Sequence, residues 1–144
     1  MKKLFVLVLA LSFATPAFAL TLKEKKQVQA WNDYLKDESQ SYVKSFKDKC
    51  GYDLPVTMEE KFATPFMEAN TNAASYCDSP RSAMSGMCED ATSKDSIAKQ
   101  VKKVDCKLGE KGKVNIKLTG TTLTFTVGVE AANLDDAVKT FLEK

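Results

Sequence analysis

Four cysteines constrain the fold of this 144-residue chain more than any other feature of its sequence. They are Cys50, Cys77, Cys88 and Cys106, and an even number of cysteines in an oxidising compartment is typical of two disulfides. A four-thiolate zinc site needs two close pairs such as C-x-x-C, whereas the gaps here are 26, 10 and 17 residues. The same wide spacing argues against a thioredoxin-like redox centre. The cysteines therefore predict a domain that is cross-linked twice.

The N-terminus predicts that the chain reaches such a compartment. A head with two lysines and a nearly unbroken apolar run over 4–13 precede small residues that end at Ala19. This is the pattern of a secretory signal peptide over 1–19, of bacterial Sec type. An apolar run of about ten residues is too short for the roughly 20 that cross a bilayer. We expect a periplasmic or extracellular protein with no membrane span after cleavage.

The charge of the remaining 20–144 domain limits its partners. Without Lys2 and Lys3 the domain has 19 basic and 19 acidic residues, and general nucleic-acid binding needs a net positive field. We therefore expect no nucleic-acid partner. The charge is uneven, because eight lysines lie between positions 94 and 117. This segment either faces an anionic partner or is an ordinary solvated surface. The candidate binding residues are Lys102, Lys103, Lys107 and Lys113.

Most of the chain before residue 105 has helical patterns. A capping box at 21–24 precedes apolar residues at three-, four- and seven-residue steps, including Trp31, which predicts a helix over about 22–49. Helix-start signals at Thr57, Ser79 and Thr92 predict shorter helices, and residues 69–79 are also predicted to be helical.

The pattern then changes from helical to alternating. Val114, Ile116 and Leu118 alternate with polar residues, and a turn at 119–121 leads to a second alternating segment over 122–129. The segment 106–108 is a candidate short strand, and Asn133 precedes a C-terminal helix. We predict a single α+β domain, with four to five helices packed on one face of a small antiparallel β meander.

Helix lengths select one pairing of the cysteines. The Cα atoms of a disulfide lie within about 7 Å of each other. The predicted helix between Cys88 and Cys106 is about 16 Å long, and the one between Cys77 and Cys88 is about 13 Å. Both pairs are too far apart, which leaves Cys50–Cys88 and Cys77–Cys106. This pairing ties the first helix and the sheet to the middle helices.

Chemistry is limited by the absence of histidine. A Ser-His-Asp or Cys-His centre is impossible, and the sequence has no P-loop, dinucleotide glycine fingerprint, HExxH motif or calcium loop. Adjacent carboxylates at 59–60, 89–90 and 135–136 lie at or near predicted helix starts, where they favour the helix dipole. We expect no catalytic residue, no cofactor and no metal site.

These observations favour a non-enzymatic exported domain that binds a protein or an anionic envelope component. One alternative is a hydrolase that uses two carboxylates about 5–10 Å apart. Another is a copper(I) carrier through Met84 and Met87, since thioethers suit copper(I), although core methionines have the same spacing. A polar row on the last strand is either a recognition surface or an ordinary wet face. It consists of Thr122, Thr124 and Thr126.

Overall fold

The computed structural model describes residues 22–59 and 61–144. The predicted signal peptide, 1–19, the capping residue Thr21 and the side chain of Trp31 lie outside what is described. The helices in this part of the chain are α1 (Leu22–Cys50), α2 (Ala63–Glu68), α3 (Ala73–Met87), α4 (Ala91–Gln100) and α5 (Leu134–Leu142). The strands are β1 (Val56–Met58), β2 (Lys103–Leu108), β3 (Val114–Thr119) and β4 (Thr122–Val127). The predicted α+β class and the predicted C-terminal helix are confirmed.

The sheet is mixed, which corrects the expected antiparallel meander. Its strand order is β1-β2-β4-β3. The β3–β4 hairpin is antiparallel, as predicted, whereas β1–β2 and β2–β4 are parallel. After β2 the chain crosses the end of β4 and returns as β3 on its far side. Alternation along a strand shows which side chains share a face but not which strand lies next to it, so the sequence pattern did not reveal this order.

The short strand β1 replaces the helix start that was predicted at Thr57. Val56 pairs with Val104 of β2, the Val104 N–H donates to the Pro55 carbonyl at 2.9 Å, and helix α2 starts only at Ala63. A capping box is a local signal, and here pairing with a strand far along the chain overrides it.

Helix α3 also differs from its prediction, because it runs through Ser79 and Pro80 without a break. Its N-cap is Asn72, whose side chain accepts from the N–H of Ala74 at 2.9 Å. Pro80 lies buried inside this helix. The Ser79 hydroxyl donates to the Ser75 carbonyl one turn earlier at 3.0 Å. The serine–proline step that suggested a new start is therefore an interior turn of one continuous helix.

Helix α3 is the centre of the packing. It contacts α1, α5, α2, α4 and the apolar side of the sheet. The core around it contains large side chains with almost no exposed surface, four from other parts of the chain and one methionine from α3 itself. They are Phe46, Phe62, Phe66, Phe125 and Met84.

Two disulfides fasten α3 to the rest of the domain, and their pairing is the one selected by helix length. Cys88, the C-cap of α3, is bonded to Cys50 at the end of α1, with a Cα–Cα distance of 5.2 Å. Cys77, in the first half of α3, is bonded to Cys106 of β2, with a Cα–Cα distance of 5.6 Å. Each bridge contributes about 2–4 kcal/mol by restricting the unfolded chain. Two such bridges are compatible with an oxidising, exported compartment.

A buried ion pair, which the sequence analysis did not identify, holds the loop after α1. Arg81, the only arginine of the chain, pairs with Asp78 one turn earlier, and both side chains are less than a tenth exposed. The Arg81 Nη2 also donates to the Leu54 carbonyl at 2.9 Å. Burial raises the pKa of Asp78 and lowers that of Arg81, and the attraction between the two charges opposes both shifts. The pair fixes the chain just before β1.

We predict that R81M lowers the free energy of unfolding by about 3–5 kcal/mol, because it leaves the Asp78 carboxylate buried without its cation. The double variant D78L/R81M removes both charges and should lose less than R81M alone. Urea unfolding with the disulfides intact measures both. Equal losses in the two variants would contradict this account of the pair.

A second prediction concerns Gly128, over which the β2–β3 loop crosses. A Cβ at Gly128 would lie 1.8 Å from the Glu110 carbonyl oxygen, so we expect G128A to destabilise the domain by about 1–3 kcal/mol. The matched control is Gly86, in α3, where an added Cβ meets nothing within 4 Å. There, G86A should stabilise by about 0.5–1 kcal/mol, because alanine favours the helix. A neutral G128A in thermal unfolding would disprove the close approach.

Candidate binding face

The sheet has one apolar side, which the helices cover, and one polar side, which the described helices leave open. Along each strand, more buried and less buried residues alternate, as the pleat requires. On the covered side, Cys106 is bonded to α3, and Leu123 and Phe125 have no exposed surface. We call the polar side the open face. It consists of Thr57, Lys103, Asp105, Lys107, Asn115, Lys117, Thr119, Thr122, Thr124 and Thr126.

The register of the strands arranges the open face in three parallel rows. Neighbouring strands lie about 4.8 Å apart, and same-face residues along a strand are about 6.6 Å apart. The open face is therefore a lattice of hydroxyl, amide and ammonium groups of about 14 by 13 Å. The rows are Thr57–Asp105–Thr124–Lys117, Lys103–Thr122–Thr119 and Lys107–Thr126–Asn115.

The open face carries more positive than negative charge. Its one acidic group, Asp105, accepts from the Lys103 Nζ at 2.8 Å and from the Thr57 hydroxyl at 2.5 Å. These two hydrogen bonds, with the nearby charges of Lys103 and Lys107, hold the pKa of Asp105 below its usual range. Asp105 therefore stays ionised and neutralises Lys103. Lys107 and Lys117, both exposed, supply the excess positive charge.

The lowered pKa of Asp105 generates a pH-dependent prediction. A depressed folded-state pKa contributes stability above the unfolded pKa of about 3.9, and this contribution is lost as the pH falls through the folded value. The variant D105N lacks the charge, so the wild type should exceed it in unfolding free energy at pH 7. That difference should shrink progressively below about pH 4. A difference that stays constant from pH 7 to pH 2 in denaturant titrations would contradict the assigned interaction.

The structure places the four predicted binding lysines in different surroundings. Lys103 and Lys107 lie on the open face. Lys102 lies beside Tyr52, with its Nζ 5.2 Å from the centre of the ring. Lys113, in the loop before β3, pairs with Glu110. The four lysines therefore do not form one patch.

One open-face lysine was missed as a site residue. Lys117 points to the same side of the sheet as Lys103 and Lys107, because it shares a row with Asp105 through β4. Its position next to Ile116 on β3 already showed that its side chain lies on the opposite side of the sheet from that apolar residue. Assigning it to the same face as Lys107 also required the strand order.

Tyr52, two residues after the end of α1, has a structural role. Its hydroxyl donates to the Val101 carbonyl at 2.8 Å, and its ring contacts Phe46 edge-on with centroids 5.1 Å apart. Burial raises the pKa of Tyr52 to about 12. The hydroxyl stays protonated near neutral pH and ties α1 to the start of the sheet.

Three of the carboxylates considered for acid/base chemistry have partners at helix ends, whereas Glu59 follows β1 and Glu60 lies outside the described residues. Asp90 caps α4 by accepting a hydrogen bond from the Ser93 N–H at 2.7 Å. Hydrogen bonds from Ser93 and Thr92 lower the pKa of its carboxyl group. Glu89 pairs with Lys49 at 3.1 Å, and Asp135 accepts from Ser82 at 2.9 Å. These contacts give Glu89, Asp90 and Asp135 stabilising roles in the fold.

The methionines proposed for copper(I) occupy different environments on α3. Met84 has no exposed surface and belongs to the core, whereas Met87 is half-buried. Within the described residues, no three His, Cys, Asp or Glu side chains are grouped so that they could hold a metal ion. Packing against the core is a sufficient reason for Met84.

A groove of about 640 Å³ adjoins the open face where the β2–β3 loop crosses β4. Thr126 and Asn115 line it and also belong to the open face, and Lys113 and Glu110 form its rim. The end row of the open face is therefore the only one bordered by this depression, which gives an otherwise flat surface some depth.

Comparisons of the chain with protein-family models, curated proteins and solved structures found no match. Among the described helices, none has the length and hydropathy needed to span a bilayer. Function is therefore argued from the geometry and charge of the open face.

Proposed function

We propose that this protein is an exported, non-enzymatic binding domain whose open face recognises an anionic component of the cell envelope. The observation that carries the proposal is one polar side of a four-stranded sheet that has hydroxyl groups, unpaired positive charge and no covering helix among the described residues. A sheet side that no described helix covers is available to a ligand.

The chemistry of the open face suits a ligand that has both phosphate or carboxylate groups and hydroxyl groups. The threonine hydroxyls can each donate and accept a hydrogen bond. Lys107 and Lys117 supply ammonium groups, which are point charges with three donors. A flat, regular lattice of this kind favours an extended or repeating ligand over a small compact one, which would need a pocket.

The disulfides support a location outside the cytosol. Together with the predicted signal peptide, 1–19, they lead us to propose the periplasm or the extracellular medium as the site of action. Anionic envelope components are accessible there. A protein with an acidic surface could contact the same lysines, and the salt dependence of binding would be similar.

The test compares two pairs of lysines. K107S/K117S removes the excess charge of the open face, whereas K44S/K99S removes one exposed lysine of α1 and one of α4, both outside the open face and its groove. Each lysine near an anionic surface contributes about 1 kcal/mol. We therefore expect K107S/K117S to weaken binding to vesicles containing phosphatidylglycerol by about 30-fold. K44S/K99S should retain most of the wild-type affinity.

Sedimentation with these vesicles at two salt concentrations measures both effects, and wild-type binding should fall as salt rises. Equal losses in the two variants would contradict the assignment to the open face. A wild-type protein that does not bind the vesicles would contradict an anionic envelope ligand.

A further inference from the structure

The edge strand β3 has a free edge beside an apolar groove. In the described part of the chain β3 pairs only with β4. A groove of about 440 Å³ separates this edge from helix α5. Its floor is apolar, formed by Val114 and Ile116 of β3 with Ala137 and Phe141 of α5. A row of unpaired backbone groups beside a hydrophobic groove is a site for another strand.

Backbone hydrogen bonds fix which groups of β3 point outward. The Gly128 N–H donates to the Lys113 carbonyl at 3.0 Å, whereas the Val127 carbonyl accepts from Gly109, on the β2 side, at 2.9 Å. Bonded pairs of an antiparallel ladder recur at every second residue, so the odd-numbered residues of β3 bond to β4. The residues whose N–H and C=O groups point to the free edge are Val114, Ile116 and Leu118.

We propose that this edge pairs with the same edge of a second copy of the chain, around a two-fold axis at Ile116 perpendicular to the sheet. In this register Ile116 lies opposite the partner's Ile116, and Val114 lies opposite the partner's Leu118. Each of these pairs exchanges two backbone hydrogen bonds. A register centred on Lys117 would place like charges opposite each other, which is unfavourable. Centring on Ile116 places Lys117 opposite the partner's Asn115.

The charged side chains that line the groove are also placed for pairing around this two-fold axis. A two-fold axis perpendicular to the sheet reverses every direction within it, so α5 and the partner's α5 are antiparallel. Asp136 and Lys144 line the groove near the two ends of α5, and Thr140, midway between them in the sequence, lines it together with Ile116 of β3. Lys144 of each copy then lies near the partner's Asp136. The small side chains of Ala137 and Thr140 let the two helices approach near the axis. The surface is thus self-complementary in backbone, shape and charge.

This pairing would join two four-stranded sheets into one continuous sheet, with both open faces on the same side. The inference does not depend on the ligand of the open face, because it uses the free edge of β3 and the groove beside α5. Two linked faces would bind a repeating ligand more tightly than one, since the second contact becomes intramolecular.

Sedimentation velocity of the oxidised protein over a range of concentrations tests the proposal, with charge exchange as the diagnostic. D136K and K144D each replace two symmetric attractions with repulsions, and we expect each to weaken dimerisation by about tenfold. The double variant D136K/K144D restores opposite charges and should recover the wild-type dimerisation constant within about threefold. D95K, which changes an exposed residue of α4 outside the groove, is the matched control and should have no effect.

Amide hydrogen exchange tests the strand pairing separately. The amides of Ile116 and Leu118 should become protected as the protein concentration rises, whereas that of Lys117, bonded to β4, should be protected throughout. A protein that is monomeric at every concentration would overturn the proposal. So would a dimer in which the single charge variants have no effect, or in which their effects add in the double variant.

Discussion

The fold depends on the covalent attachment of one helix to the elements on two sides of it. Cys77 and Cys88 both belong to α3 or its cap, and their partners are the end of α1 and the middle of β2. The bridges close segments with sequence separations of 38 and 29 residues, so they remove much of the entropy of the unfolded chain. With α3 held in this way, α1 and the sheet must pack against it, and the core forms around Met84 and the buried phenylalanines.

The open face is a consequence of this arrangement. The described helices cover the apolar side of the sheet, because α3 is bonded to Cys106, which points to that side. The opposite side must then be polar, since it meets water. Its threonines are ordinary residues for such a surface. What is less ordinary is the balance of charge, because Asp105 neutralises Lys103 but leaves Lys107 and Lys117 unneutralised.

The two edges of the sheet differ in ways that affect association. β1 has three residues, and short edge strands resist pairing with other chains. β3 has six residues without proline, and its apolar side borders the groove between it and α5. Only the β3 edge therefore combines unpaired backbone groups with apolar surface. The proposed association therefore uses this one edge and leaves the open face available.

The sequence alone was sufficient where the signal was local. Capping and apolar spacing predicted α1 and α5, and alternation with a turn predicted the β3–β4 hairpin, because neighbouring residues form these elements. It was insufficient where partners are far apart in sequence. β1 was missed because Val56 pairs with Val104, and three residues have too little periodicity to outweigh a capping box. A separate helix start was predicted at Ser79 because Ser79–Pro80 has that local pattern, although it lies inside one continuous helix.

By itself, the sequence determined the α+β class, the side of each hairpin strand that faces the core, and the pairing of the cysteines. The pairing could be inferred because a helix is a rigid spacer of known length. Only the tertiary structure decided the strand order, the Asp78–Arg81 contact with Leu54, and which lysines share a surface. Lys107 and Lys117 lie on one face because β4 lies between β2 and β3. That arrangement is a matter of packing, which the spacing of residues along a single strand does not specify.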